Sequence, residues 1–137
     1  MTNTLVFDAI EFATRAHRDQ YRKGTKIPYI VHPLGAAKSL VECGCDDEIV
    51  AAAVLHDTIE DAEVTVDQLR SLFGERVASL VRSASEPDKS DSWENRKRHT
   101  IEYLKKAPMD EVLVSAADKL DNIRAISADH ARVGEDL

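Results

Sequence analysis

The chain has 137 residues, enough for one domain and not comfortably for two. Acids outnumber bases 25 to 18, a net charge of −7, which argues against nucleic-acid binding while leaving room for a local basic pocket for a small anion. Five glycines and four prolines exclude collagen-like and low-complexity classes, and no stretch approaches the ~18 apolar residues of a membrane span. Met1-Thr2-Asn3-Thr4 has neither the basic lead-in nor the apolar run of a signal peptide. Cys43 and Cys45 are too close in sequence for an unstrained bridge and read as plain residues at a helix end. The expectation is a single cytoplasmic domain over residues 1–137, with no membrane and no nucleic acid among its partners.

The periodicity is helical almost throughout. Leu5, Val6, Ala9, Ile10, Phe12, Ala13 and Ala16 form one apolar stripe, which predicts a helix from about 4 to about 20. Residues 22–28 carry Gly24 and Pro28 and read as a loop. Pro33 suits the first turn of a second helix, over about 33–43, which Gly44 ends. Asp46 or Asp47 caps a third, whose body, Glu48 to Leu55, is apolar on almost every side and belongs in the middle of the domain. Thr65 or a neighbour opens a short helix that stops at Gly74, and another follows with Val77, Leu80 and Val81 inward. Residues 84–92 read as a loop. Ser92 caps a helix from Trp93 to about Lys106, and Pro108 breaks it. The last helix runs over about 109–127, nearly all apolar from Val112 to Ala117. No strand pair with turn chemistry appears, so the fold class is all-α.

The two most apolar helices each end in charge. His56-Asp57 follows Ala51-Ala52-Ala53-Val54-Leu55, and Asp118 follows Ser115-Ala116-Ala117. A buried carboxylate is costly unless it is paired or bound to a metal. Packing the two helices together brings His56, Asp57 and Asp118 near one another, with His32 as a fourth candidate ligand. Glu60 lies four residues after His56, Asp61 four after Asp57, and Asn122 four after Asp118. At about 100° per residue each pair shares a helix face, one turn and roughly 6 Å apart. Two imidazoles and two carboxylates suit Mn²⁺, Fe²⁺ or Mg²⁺ better than a structural thiolate zinc. Without a metal, Glu60-Asp61 is a solvated helix end and Asp118 pairs with Lys119 or Arg124. The pattern alone leaves both accounts open.

Longer stretches carry a resemblance. They are His17-Arg18-Asp19-Gln20-Tyr21-Arg22-Lys23, Pro28-Tyr29-Ile30-Val31-His32-Pro33, and Ala51 through Leu55 into His56-Asp57-Thr58-Ile59-Glu60-Asp61. Phe73-Gly74, Asn95-Arg96-Lys97-Arg98 and Ala117-Asp118-Lys119-Leu120-Asp121-Asn122-Ile123-Arg124 follow in order. Together they span residues 17–124, and the chain resembles the HD-domain metal-dependent phosphohydrolases, specifically the RelA/SpoT-type alarmone hydrolases and their small stand-alone forms.

The resemblance implies a helical HD-domain bundle that removes the 3′-pyrophosphate of guanosine tetra- or pentaphosphate. His32, His56, Asp57 and Asp118 match the family's metal ligands, usually for Mn²⁺. Glu60-Asp61 matches the acidic pair that orients or activates the attacking water, Arg22-Lys23 the basic pair on substrate phosphate, and Asn122 a residue close to the nucleotide. His17 is expected in the core or behind the ligands, Tyr29 beside the site, and His99 and His130 have no partner pattern. Residues 84–92 follow the family loosely. The family usually continues past the Asp118 helix with another that closes the nucleotide pocket, so a truncated or short closing part is expected after Leu137. Two other accounts fit the residues: a phosphohydrolase of another nucleotide, such as NADPH or a deoxynucleotide, and a catalytically silent metal or nucleotide sensor. Intact Glu60-Asp61 and Arg22-Lys23 pairs argue against silence.

Overall fold

The computed structural model describes residues 4–61, 63–85 and 90–133, without the side chains of Asp61, Arg132 and Val133. In chain order the helices are α1 (Leu5–Ala16), α2 (Val31–Glu42), α3 (Asp47–Leu55), α4 (Thr58–Asp61), α5 (Val66–Phe73), α6 (Glu75–Ala84), α7 (Trp93–Leu104) and α8 (Met109–Val133). The expected all-α class holds. Among the described residues, β pairing is limited to one bridge between Tyr21 and Pro28. No helix among them is long and apolar enough to cross a membrane.

The centre is α3. Every residue from Ile49 to Leu55 is buried, because the helix is apolar all round and α1, α2, α6 and α8 pack against it. Val50, Val54 and Leu55 each contribute roughly 1.5–3 kcal/mol of burial free energy. Ala51, Ala52 and Ala53 share one buried cluster with Ala9 and Ala13 of α1 and Ala36 and Ala37 of α2, two of the helices packed on α3. Small side chains on both surfaces let the helix axes approach closely.

The capping reading holds in detail. The side chains of Asp46, Thr65 and Ser92 accept hydrogen bonds from the amides of Ile49, Gln68 and Asn95, at 3.0, 3.1 and 3.1 Å. Three boundaries differ. α1 stops at Ala16 because Asp19 adopts a left-handed φ of 65°, and the chain turns back through bonds from Arg22 N to Ile27 O and Tyr29 N to Gln20 O. α8 continues to Val133, past the expected end near 127. The expected loop over 84–92 lies partly outside the described residues.

The third difference bears on the site. The spacing from His56 to Glu60 suggests one unbroken helix, but α3 ends at Leu55 and α4 starts afresh at Thr58. The His56 ring bonds the carbonyl of Ala53 at 2.6 Å, and the Thr58 hydroxyl bonds that of Leu55 at 2.7 Å. A continuing helix would offer those carbonyls to the amides of residues 57 and 59. The break places His56 and Asp57 in a turn at the end of the most buried helix.

Candidate metal centre

Four side chains meet where α2, α3 and α8 come together. His32 comes from the first turn of α2, His56 and Asp57 from the turn after α3, and Asp118 from the middle of α8. One ligand atom of each lies within 4.8 Å of all the others. His32 Nε2 is 2.8 Å and His56 Nε2 2.9 Å from Asp118 Oδ1. Asp57 Oδ2 is 3.0 Å from His56 Nε2 and 3.7 Å from His32 Nε2. The Tyr29 hydroxyl donates to Asp57 Oδ2. The histidines are buried and the carboxylates nearly so, at 14% and 17% exposure, which leaves one side open.

The outer atoms fix the tautomers. A carbonyl only accepts, so His56 Nδ1 carries the proton directed at Ala53 O. His32 Nδ1 lies 2.7 Å from Asp121 Oδ2 and donates to that carboxylate. Both Nε2 atoms therefore turn toward Asp57 and Asp118, an arrangement in which histidine serves as a ligand. Two imidazole nitrogens and two carboxylate oxygens, oriented from behind, fit a hard-to-borderline divalent cation.

Burial opposes charge on the imidazoles, yet hydrogen bonds donated to Asp118 and Asp121 hold His32 above the ordinary 6.5, and those donated to Asp118 and Asp57 hold His56 well above it. Burial also works against ionised Asp57 and Asp118, but their imidazole partners hold both below the ordinary 3.8. Raised imidazole values add stability that is complete below about pH 6.5 and is lost as pH rises through the folded values; depressed carboxylate values add stability present above about pH 3.8 and lost as pH falls through theirs. Metal-free protein should therefore be most stable in the mildly acid window between, its Tm falling as pH rises above about 6.5. Metal affinity should climb over the same range, because a cation must displace the Nε2 protons. Thermal melts across pH, in chelator and in Mn²⁺, test both trends. A metal-free Tm that climbs above pH 6.5 contradicts this protonation scheme.

The four side chains line a cleft of about 550 Å³, within the usual ~300–1,000 Å³ of small-molecule sites. Glu60 of α4 and Asn122 of α8 line it too, as does Tyr29. So do Arg82, Lys97, Lys119 and His99, basic groups gathered by an acidic protein. Arg22 and Lys23 do not line it. Arg22 donates to Asp129 near the end of α8 at 3.0 Å, and Lys23 is exposed. The Asp61 side chain lies outside the described residues. His17 is buried against the Tyr29 ring, centroids 5.0 Å apart, outside the four-residue cluster, and His130 is exposed.

Sequence reasoning gave no role to Arg82 or Asp121 and left His99 without a partner pattern, although it lines the cleft. Lys97 sat unsingled in a basic run, and Lys119 entered only as an ion-pair partner of Asp118, which it is at 3.0 Å. Asp121 did carry a signal: three residues after Asp118, it belongs to the same helix face.

An HD domain family model matches residues 9–136. A guanosine-3′,5′-bis(diphosphate) 3′-pyrophosphohydrolase MESH1 from Danio rerio is 36% identical over 129 residues, 92% of this chain and 71% of that protein. The Homo sapiens MESH1 is 40% identical over 125 residues, 89% and 69% respectively. An Aquifex aeolicus protein of the same enzymatic name is 38% identical over 122 residues, and the chain spans only 17% of its length. Among solved structures, a metazoan orthologue of SpoT, described as hydrolysing ppGpp and acting in starvation responses, superposes with a TM-score of 0.84 at 34% identity. That match covers 93% of this chain and 73% of the other.

Proposed function

The chain belongs to the HD-domain family, and on that premise we propose that it hydrolyses guanosine tetra- or pentaphosphate to GDP or GTP plus pyrophosphate, using Mn²⁺ held by His32, His56, Asp57 and Asp118. The observation that carries this is the convergence of those four groups in a cleft that also gathers Arg82, Lys97 and Lys119. A divalent cation supplies Lewis-acid polarisation of a phosphoryl oxygen and acidifies water. The remaining tasks belong to this chain's own side chains. Arg82, Lys97 and Lys119 neutralise phosphate charge, which phosphoryl transfer needs more than covalent chemistry. Asn122 offers its amide to the nucleotide. Glu60 and Asp61 orient and deprotonate the water that attacks the 3′-pyrophosphate.

Incubation of the full chain with Mn²⁺ and ppGpp, with chromatography of the products, tests the substrate. GDP and pyrophosphate in equal amounts are expected. Turnover of NADPH or a deoxynucleotide instead would assign another nucleotide, and binding without turnover would make the chain a sensor.

Variants locate the phosphates. A hydrogen bond to a charged group is worth about 1.5–3 kcal/mol, so Arg82→Ala and Lys97→Ala should each raise KM about 10–100-fold with metal affinity unchanged. Arg22 and Lys23 retain a phosphate role under this proposal only through opening of the Arg22–Asp129 pair. A larger KM effect from Arg22→Ala than from Lys97→Ala would mean that the 22–28 loop closes over the substrate.

A further inference from the structure

We infer that Asp121 is a positioning residue for the metal centre: from a notch left by Gly35, it takes the Nδ1 proton of His32 and fixes the ring so that Nε2 faces the cation. The inference rests on the four-ligand assignment proposed above and goes beyond it. His32 is held at both nitrogens by one turn of α8, with Nε2 2.8 Å from Asp118 Oδ1 and Nδ1 2.7 Å from Asp121 Oδ2. Asp118 and Asp121 are three residues apart, so one helix face presents both carboxylates to one imidazole.

Gly35 is the independent observation. It lies inside α2, three residues after His32 and on the same face, and its φ is not positive. Glycine in a helix interior costs roughly 0.5–1 kcal/mol relative to alanine, so backbone freedom does not explain it. A Cβ at that position would lie 2.1 Å from Asp121 Oδ1 and 2.9 Å from Asp121 Cγ. The missing side chain is the space in which the Asp121 carboxylate sits. Both halves of the contact, the acid on α8 and the gap on α2, are built into this sequence.

The two histidines are thereby made unequal. His56 gives its Nδ1 proton to a neutral carbonyl, Ala53 O, while His32 gives its own to a carboxylate. A carboxylate partner raises the basicity of a ligating imidazole and orients it more firmly than a carbonyl does. Asp121 also adds, behind His32, a third negative charge to those of Asp57 and Asp118, which favours a divalent over a monovalent cation. His32 is the ligand from α2, so its orientation couples the α2–α8 packing to the metal.

The test is Mn²⁺ affinity of the full chain, read from the electron paramagnetic resonance signal of free Mn²⁺, with helix content followed by circular dichroism. Loss of an outer-shell partner typically costs 10–100-fold in metal affinity, so Asp121→Ala should lose about that much. Asp121→Asn keeps an oxygen for the Nδ1 proton at nearly the same shape and should fall between wild type and Asp121→Ala. Gly35→Ala should mimic Asp121→Ala while every ligand and Asp121 itself remain. KM for ppGpp at saturating Mn²⁺ should stay unchanged in all three. Wild-type affinity in Asp121→Ala or Gly35→Ala overturns the inference alone, as does Asp121→Asn binding no better than Asp121→Ala. Failure of the wild-type chain to bind Mn²⁺ overturns the four-ligand assignment and this inference with it.

Discussion

Asp118→Ala is expected to abolish metal binding and with it hydrolysis, while leaving the helical fold standing. Asp118 Oδ1 is the atom on which both histidines converge, 2.8 Å from His32 Nε2 and 2.9 Å from His56 Nε2. It is also the one member of the cluster carried by α8, so its removal leaves two imidazoles and Asp57 without a ligand on that side. Lewis-acid stabilisation of phosphoryl transfer is worth several kcal/mol, and losing it should lower kcat/KM by on the order of 10³ or more. The fold should survive because α8 keeps Val114 and Ala117 in the core, both nearly inaccessible. His56→Ala should behave alike, since His56 is aimed at the same point. Metal content by mass spectrometry, rate and circular dichroism should be read on one preparation. An Asp118→Ala protein that keeps its metal and its rate would remove the basis of the site.

Glu60→Gln should cost about 10²–10⁴ in kcat, the range for loss of a positioned general base. KM and metal content should hardly move, the pattern of an interaction made mainly in the transition state. The structural reason is α4, which starts anew after the His56-Asp57 turn and presents Glu60 to the cleft without placing it in the four-residue cluster. Glutamine keeps the shape and removes the charge. Asp61→Asn is expected in the same range, from its place beside Glu60 in the matched motif. Near-normal kcat in both amide variants would relegate the pair to a supporting role behind the reacting groups. Loss of metal in either would make that carboxylate a ligand and the four-residue set incomplete.

How far the site was legible depended on the range of the interactions that make it. His56, Asp57 and Asp118 were readable because charge next to an apolar helix body is anomalous, and His32 joined them as a fourth candidate at a helix start, which the motif strings supported. Their meeting within 4.8 Å follows from the burial of α3 and the middle of α8, which helical periodicity already implied. The path from His56 to Glu60 was misjudged. Counting residues at helical spacing assumes a continuous helix, and side chains that bond the carbonyls of Ala53 and Leu55 interrupt it. The basic groups were the least legible. A solvated lysine or arginine costs little on any face, so a run such as Arg96-Lys97-Arg98 does not reveal which member faces the cleft.

The sequence by itself determined what short-range physics determines. Alternation at three and four residues made the chain all-α, the Asp46, Thr65 and Ser92 hydroxyls and carboxylate set three helix starts, and the uniform apolarity of Ile49–Leu55 made α3 the centre. Those signals lie within a few residues of the structure they specify. Only the tertiary structure decided which distant groups share a cleft: Arg82, Lys97 and Lys119 among its lining, Arg22 drawn to Asp129, and Asp121 seated against His32 in the gap of Gly35. His32 and Asp121 lie 89 residues apart, and Arg22 and Asp129 lie 107 apart. No local periodicity spans such separations; the packing of α2 against α8 brings His32 and Asp121 together.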